Sequence, residues 1–273
     1  MLDAVLLVLR EVLEAALFIS ILLALCRKLA LPVAWVWPAV LCGLLGSWLL
    51  SHYAAAIGEA FEGSGQERVN ALLYLLAIGC FVLIDIVLVR DWRLALQQPG
   101  DAPARAAPLL CTLFGLIVAA SMAREGSEVW IYLSAFVGQR DALLGALMGG
   151  LIGASLGVSI GVLVYYLFSF QPRRWFLPLY LLLAALVAGG LSMQFAKQLM
   201  QMGWLDSGNA IWDSGWLVDE RGWFGQFLHA AFGYDANPDL TQVLCYLAVL
   251  ILISVGGALR WWRHGLSQKD LRT

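Results

Sequence analysis

The sequence predicts an all-α integral membrane protein with seven transmembrane helices. Three observations carry that expectation. Of 273 residues, 61% are hydrophobic and only 13% are charged, whereas soluble domains carry about 25% charged residues. The apolar material lies in runs about as long as the ~20 residues a helix needs to cross a bilayer. Polar stretches bearing Pro or Gly separate the runs.

Taken in order, the runs cover about 4–25, 34–57, 68–90, 108–137, 142–169, 174–199 and 240–262. The first has no positively charged leader, and Asp3 precedes it, so it reads as a retained helix rather than a signal peptide. Segment 91–107 mixes Pro, Ala and charge and reads as a flexible loop. The fourth and fifth helices are joined through Gly138-Gln139-Arg140-Asp141. Gln171-Pro172-Arg173-Arg174 parts the fifth from the sixth, and 200–239 is the longest polar loop.

Basic residues orient the bundle. With seven helices, one side collects Arg27, Lys28, Arg90, Arg93, Arg105, Arg173, Arg174, Arg260, Arg263, Lys269 and Arg272; the other has Arg68, Arg140, Lys197 and Arg221. The richer side is expected to be cytoplasmic. The N-terminus is then outside and the C-terminus inside. Acids are biased the other way: Glu59, Glu62, Glu67, Asp206, Asp213 and Asp219 are among those on the outer side. Such a face attracts cations. No basic arm exists to bind nucleic acid.

Two stretches depart from the apolar pattern. Arg10-Glu11-Val12-Leu13-Glu14 and Arg124-Glu125-Gly126-Ser127-Glu128 share the pattern R-E-x-x-E inside the first and fourth runs. Charge at membrane depth is costly, which makes both stretches functional candidates. Residues three and four apart share a helix face. Glu11 and Glu14 therefore point one way, with Arg10 placed to pair with Glu14; Arg124, Glu125 and Glu128 repeat the arrangement. The four carboxylates and two guanidiniums sum to −2, a charge that a multivalent cation complements. Glu11 is ~15 Å from the outer end of its helix and Glu125 ~18 Å from the outer end of its own, so antiparallel helices bring both to one level.

The motif recurs within an internal repeat. Gly43-Leu44-Leu45-Gly46 resembles Gly150-Leu151-Ile152-Gly153, and Tyr74-Leu75-Leu76-Ala77 resembles Tyr180-Leu181-Leu182-Leu183-Ala184. Three helices per unit make the second unit inverted, a recurrent transporter design with its site at the repeat interface. One permease domain is expected over 1–273: repeat one at about 4–90, repeat two at about 108–199, outer loop 200–239 and last helix 240–262.

Other polar groups are secondary. Glu59 and Glu62 repeat the E-x-x-E spacing beyond the second helix and read as an outer collecting site, with Glu67 and His52 near. Asp85 reads as an exit ligand or an interfacial acid, and Ser127 and Tyr132 as support for the second motif. His229 and His264 read as surface residues. The four Trp residues of 200–239 read as an interfacial belt, and the five cysteines, none in a C-x-x-C, as packing residues. Small residues on the second and fifth helices suit tight contacts within one subunit or between two, so a homo-oligomer is possible.

The paired motifs, with Phe61-Glu62-Gly63 and the stretch from Gly225 to Tyr234, resemble the oxidase-dependent iron transporter family. This family includes the fungal high-affinity iron permease and bacterial ferrous-iron permeases of the EfeU type. The resemblance implies an iron permease of the bacterial inner membrane. Glu11, Glu14, Glu125 and Glu128 correspond to the family's iron-passage carboxylates, with Arg10 and Arg124 beside them, and Glu62 corresponds to a further acid linked to uptake. Val12 stands where many members have Gly, and Ser127 where Leu is common. The resemblance also implies a periplasmic iron-binding protein and a haem peroxidase as partners. Iron is then the transported substrate, with no permanently bound cofactor and no enzymatic activity. Carboxylate oxygens suit iron and manganese better than copper(I), so another metal such as manganese or lead is the alternative. A membrane di-iron enzyme is a remote third reading, because no Glu here has a His three residues on.

Overall fold

The computed structural model describes residues 2–97, 106–206, 208–219 and 222–254. It contains nine described helices: α1 (Leu2–Leu29), α2 (Val36–His52), α3 (Ala54–Gly63), α4 (Gly65–Gln97), α5 (Ala107–Ser134), α6 (Arg140–Ser169), α7 (Arg173–Gln201), α8 (Trp223–Phe232) and α9 (Leu240–Ser254). Four spans are long and apolar enough to cross a membrane: Gly65–Leu88, Ala107–Ser134, Arg140–Ser169 and Trp175–Gln201. Bent by 65°, α2 and α3 together make a fifth. The fold is thus an all-α, multi-spanning membrane bundle. At 28 residues α1 has the length to span, but Arg10, Glu11 and Glu14 interrupt its apolar stretch.

Three expectations need correction. The helix expected at 34–57 is broken at Tyr53, where His52 stacks on Trp48 and meets the Tyr53 ring edge-on. The segment 91–107 is not all loop: α4 runs on to Gln97, and 98–105 lie outside the described residues. The 200–239 segment is more than a polar loop, since it contains α8. Residues 255–262 of the last expected helix, and His264, lie outside the described residues.

Small residues set the helix pairings. Lipid is as apolar as a leucine core, so helices in a membrane gain from close packing rather than from burial. On α6, Gly153 lies against the backbone of Val5 and Leu9, Gly157 against Val12 and Leu13, and Gly161 against Ala16. That groove receives α1. Similarly, Gly43 and Gly46 of α2 meet Met122 and Ala123 of α5, while Gly126 of α5 meets Ser47. The glycines of α2 and α6 therefore serve contacts inside the subunit. Val12, the departure from Gly in the first motif, fits because its neighbour is Gly157.

The largest apolar cluster joins α1, α4, α5 and α7 through Phe18, Leu22, Leu25, Phe81, Ile84, Phe114, Ile117, Phe176 and Ala184. By contrast, Leu147, Leu151, Val158, Val162 and Leu163 on α6, like Leu41, Leu44 and Leu45 on α2, are exposed. Those apolar faces suit contact with lipid.

The segment after α7 is tied down closely. Lys197 Nζ lies 2.6 Å from Asp235 Oδ2. Burial pushes the Asp235 carboxyl up, but the Lys197 hydrogen bond and charge, the Asn237 amide and Gln242 together hold it below its ordinary value. Asp239 accepts from the amides of Gly208 and Thr241, while its own amide donates to Gln242 Oε1 at 2.7 Å. Asp239 thus caps α9: its carboxylate takes the Thr241 amide, and the Gln242 side chain reaches back to the Asp239 amide. In α8, Ala230 and Ala231 pack against Leu13 and Leu17 of α1. Gly233 ends α8 at φ 68°, and its backbone meets that of Gly190 on α7 so closely that a side chain on either would collide.

Candidate metal centre

The two R-E-x-x-E motifs meet. Each lies within a helix, α1 or α5, and the pairing of these helices turns the motif faces toward each other. Glu11, Glu14, Arg124 and Glu125 are buried; Glu128 and Arg10 are half-buried. Deep burial of charge is tolerable only with opposite charge and hydrogen bonds close by. Here the partners come from both motifs: Arg10–Glu11, Arg124–Glu125 and Arg124–Glu128 lie within one motif, and Arg124–Glu14 and Arg10–Glu128 cross between them.

Arg124 is the hub. Its Nη2 donates to Glu14 Oε2 across the interface at 2.8 Å and to Glu125 Oε1 of its own helix, and Nη1 donates to Glu128 Oε1 at 3.4 Å. The Tyr74 ring of α4 lies under the guanidinium, 4.5 Å from centroid to Cζ, a cation–π contact strengthened by desolvation. Arg10 pairs with Glu11, at 2.8 Å from Nη2 and 3.0 Å from Nε, and reaches Glu128 Oε2 at 3.8 Å. The expected Arg10–Glu14 pair gives way to Arg124–Glu14, because the interhelical arginine is nearer than the one on the same helix.

Two guanidiniums among four carboxylates leave acid to spare. Glu11, Glu125 and Glu128 offer carboxylate oxygens within 4.8 Å of one another, a spacing that suits a metal ion. Glu11 Oε2 and Glu125 Oε2 are buried and have no hydrogen-bond partner. Orphaned buried acceptors in a native fold call for an explanation, and a visiting cation supplies one. Glu14 stands outside this trio, held by Arg124.

The remaining candidates fall elsewhere. Glu59 and Glu62 are exposed, and they do not form the helical i,i+3 pair their spacing suggests. The backbone between them leaves the helix, with Ala60 at ψ 150° and Phe61 and Glu62 at φ 54° and 62°. Positive φ is costly at two consecutive non-glycine residues. Ser127 supports the site through the backbone, its Oγ donating to Arg124 O at 2.7 Å. The Tyr132 ring turns to Phe136. Asp85 is buried within the bundle at 5% exposure. All five cysteines are free.

Two site residues escaped the sequence reading. Tyr74 entered only as a repeat marker. Its signal was a Tyr in mid-span, away from the interfaces where Tyr concentrates. The sequence suggests a surface position for His229, yet it is half-buried on α8. Its Nε2 lies 2.9 Å from Gln194 Nε2, and its Nδ1 2.8 Å from Tyr234 O. The apolar positions 224, 227, 228, 231 and 232, between Gly222 and Gly233, were the available helix signal.

The sequence model of the iron permease FTR1 family matches residues 104–260, more than half of the chain. The matched range holds the second motif; the first lies before it. No curated protein matches the chain. No solved structure matches it either.

Proposed function

The chain belongs to the iron permease FTR1 family, and from that premise we propose that it carries iron across the bacterial inner membrane into the cytoplasm through the paired R-E-x-x-E site. Permeases of this family are transporters, not enzymes, which removes the di-iron enzyme from consideration. The observation that carries the reading is the trio Glu11, Glu125 and Glu128, with two buried oxygens left unpartnered. Iron is the cargo here. Hard carboxylate oxygens are suitable ligands for it.

The arginines take different parts. Arg124 is buried, shared among three carboxylates and backed by Tyr74, so it stays as a fixed counter-charge. Arg10 is more exposed and makes its shortest contact to Glu11, a member of the trio. It neutralises the empty site and swings aside as the cation binds. Glu14 then remains with Arg124 while Glu11, Glu125 and Glu128 hold the ion. Glu59 and Glu62, exposed near the strained turn at 61–63, serve as the outer collecting acids.

We read the topology as seven spans with an inverted three-helix repeat, the N-terminus outside and the C-terminus in the cytoplasm. Helix pairing supports the repeat. Exchanging the two units maps the α1–α6 pair onto α5–α2, and returns α4–α7 and α1–α5 to themselves. The same exchange turns α4–α5 into α7–α1, and there α8 packs against both helices. Partners for capture and oxidation of iron, a periplasmic iron-binding protein and a haem peroxidase, fit this orientation.

Uptake of labelled iron into proteoliposomes, with redox state controlled, tests the site. Glu125→Ala and Glu11→Gln should each abolish uptake while the protein remains inserted and folded. Persistent uptake in both variants would refute the assignment. Manganese and lead in the same assay test the alternative cargo: either ion moving faster than iron replaces iron as substrate.

A further inference from the structure

A second polar site lies in the bundle, apart from the motif cluster. Asp85 of α4 is 5% exposed, and neither of its carboxylate oxygens has a hydrogen-bond partner. Tyr180 of α7 is fully buried, and its hydroxyl also lacks a partner. Asp85 and Tyr180 belong to two helices in contact, α4 and α7, and the charge of Asp85 is close enough to act on the phenol. The two helices contribute Phe81, Ile84, Leu88, Phe176, Leu177 and Ala184 to the main apolar cluster, to which Tyr180 also belongs, and Phe176 stacks on Tyr180. Among the described residues no basic side chain forms an ion pair with Asp85. The other ionisable groups nearby are Lys28 of α1, whose Nζ lies 5.5 Å from the Phe176 ring and donates to Gln171 O at 2.7 Å, and two thiols: Cys80 on α4 itself, and Cys26 of α1, which accepts a hydrogen bond from Trp35.

Depth separates this site from the first. Tyr74 marks the level of the motif cluster, and Asp85 follows it by 11 residues on the same helix, or ~16 Å. Phe18 of α1 meets Phe81 of α4, so Asp85 lies toward the C-terminal end of α1. The apolar run of α4 gives way in the sequence to Arg90-Asp91, ~8 Å beyond Asp85. The pair therefore sits between the cation cluster and one membrane face.

Charge decides what it binds. An isolated carboxylate in apolar surroundings is costly, and such a group neutralises instead. A single carboxylate would leave a divalent or trivalent ion with uncompensated charge, whereas one proton leaves the pair neutral. We propose that Asp85 and Tyr180 form a buried proton-binding site that is neutral at rest and gives up its proton when a cation crosses from the motif cluster to the membrane face at the C-terminal end of α1. The Asp85 O–H bond breaks and its proton passes to water at that face. The carboxylate left behind offsets the passing charge, and a proton from the same water restores the acid once the cation has gone. The transit half of this proposal rests on the permease reading.

Infrared difference spectroscopy on the full chain in lipid, together with ferrous iron uptake, tests it. The wild type should show the C=O stretch of a protonated carboxyl at neutral pH. Asp85→Asn should remove that band, and Tyr180→Phe should shift it. Asp85→Asn should cut uptake about tenfold or more, because the amide cannot ionise, while ferrous iron binding to the purified protein changes less than about threefold. Asp85→Glu should restore part of the uptake. No band assignable to Asp85, or wild-type uptake in Asp85→Asn, would overturn the proposal. If the wild type binds no ferrous iron while the Asp85 band is present, the permease reading fails and the transit step with it, and the proton site stands on the band.

Discussion

One guanidinium holds three carboxylates from two helices. Arg124 reaches Glu14, Glu125 and Glu128 and rests on Tyr74. Tyr74 therefore acts on the site through Arg124, as a positioning residue. A cation–π contact in a desolvated setting is worth ~2 kcal/mol. Tyr74→Leu should weaken iron uptake by about tenfold or more, whereas Tyr74→Phe keeps the ring face and should stay near wild type. Equal losses in the two variants, measured as initial uptake rates, would point to the hydroxyl instead. The ligand residues were legible because charge inside an apolar run stands out. The pairing was not: helical spacing places Arg10 beside Glu14, but it says nothing of an arginine arriving from another helix. Tyr74 was hidden for the same reason, since its role exists only across an interface.

Among the elements, the α1–α6 contact depends most on absent side chains. A methyl group at Gly153 would strike the backbone of Val5 and Leu9, which cannot rotate away, whereas one at Gly145 meets nothing within 4 Å. Gly153→Ala should cost ~1–3 kcal/mol through overpacking and lower the melting temperature in detergent. Gly145→Ala should be neutral or slightly stabilising, as Ala favours helix. The segment from 208 to 239 offers a pH test. Its Asp235 carboxyl is held below the ordinary value, mainly by Lys197 against the effect of burial. A lowered value stabilises the fold at all pH above the unfolded value of ~3.9, and the benefit is lost as pH falls through the folded value. Hydrogen-exchange protection in this segment, corrected for the intrinsic rate at each pH, should be high at neutral pH and fall below pH ~4; Asp235→Asn should already show reduced protection at neutral pH. Long apolar helices were readable from composition, apart from the break at Tyr53, which no Pro or Gly marks. The helix α8 was overlooked because its tryptophan-rich surroundings suit an interfacial belt equally well, and only its contact with Leu13 and Leu17 tells the two apart.

Across the whole molecule the two halves are interleaved. Helices α1, α2 and α4 pair with α6, α5 and α7 respectively, and the metal centre takes Glu11 from one half and Glu125 and Glu128 from the other. Cells expressing 1–100 or 101–273 alone should take up no iron, while cells making both should recover measurable uptake. Uptake by either fragment alone would contradict a site assembled from both motifs. The same interleaving bears on how the protein is made. A ribosome delivers α1 before α5 and α6, so the residues that neutralise and enclose its charges, Arg124 and the glycine groove of α6, emerge more than a hundred residues later. Until then Glu11 and Glu14 have Arg10 as the only basic neighbour on their own helix. A helix poorly suited to lipid is thus synthesised well before the helices that complete it, so its insertion depends on the arrival of the second half.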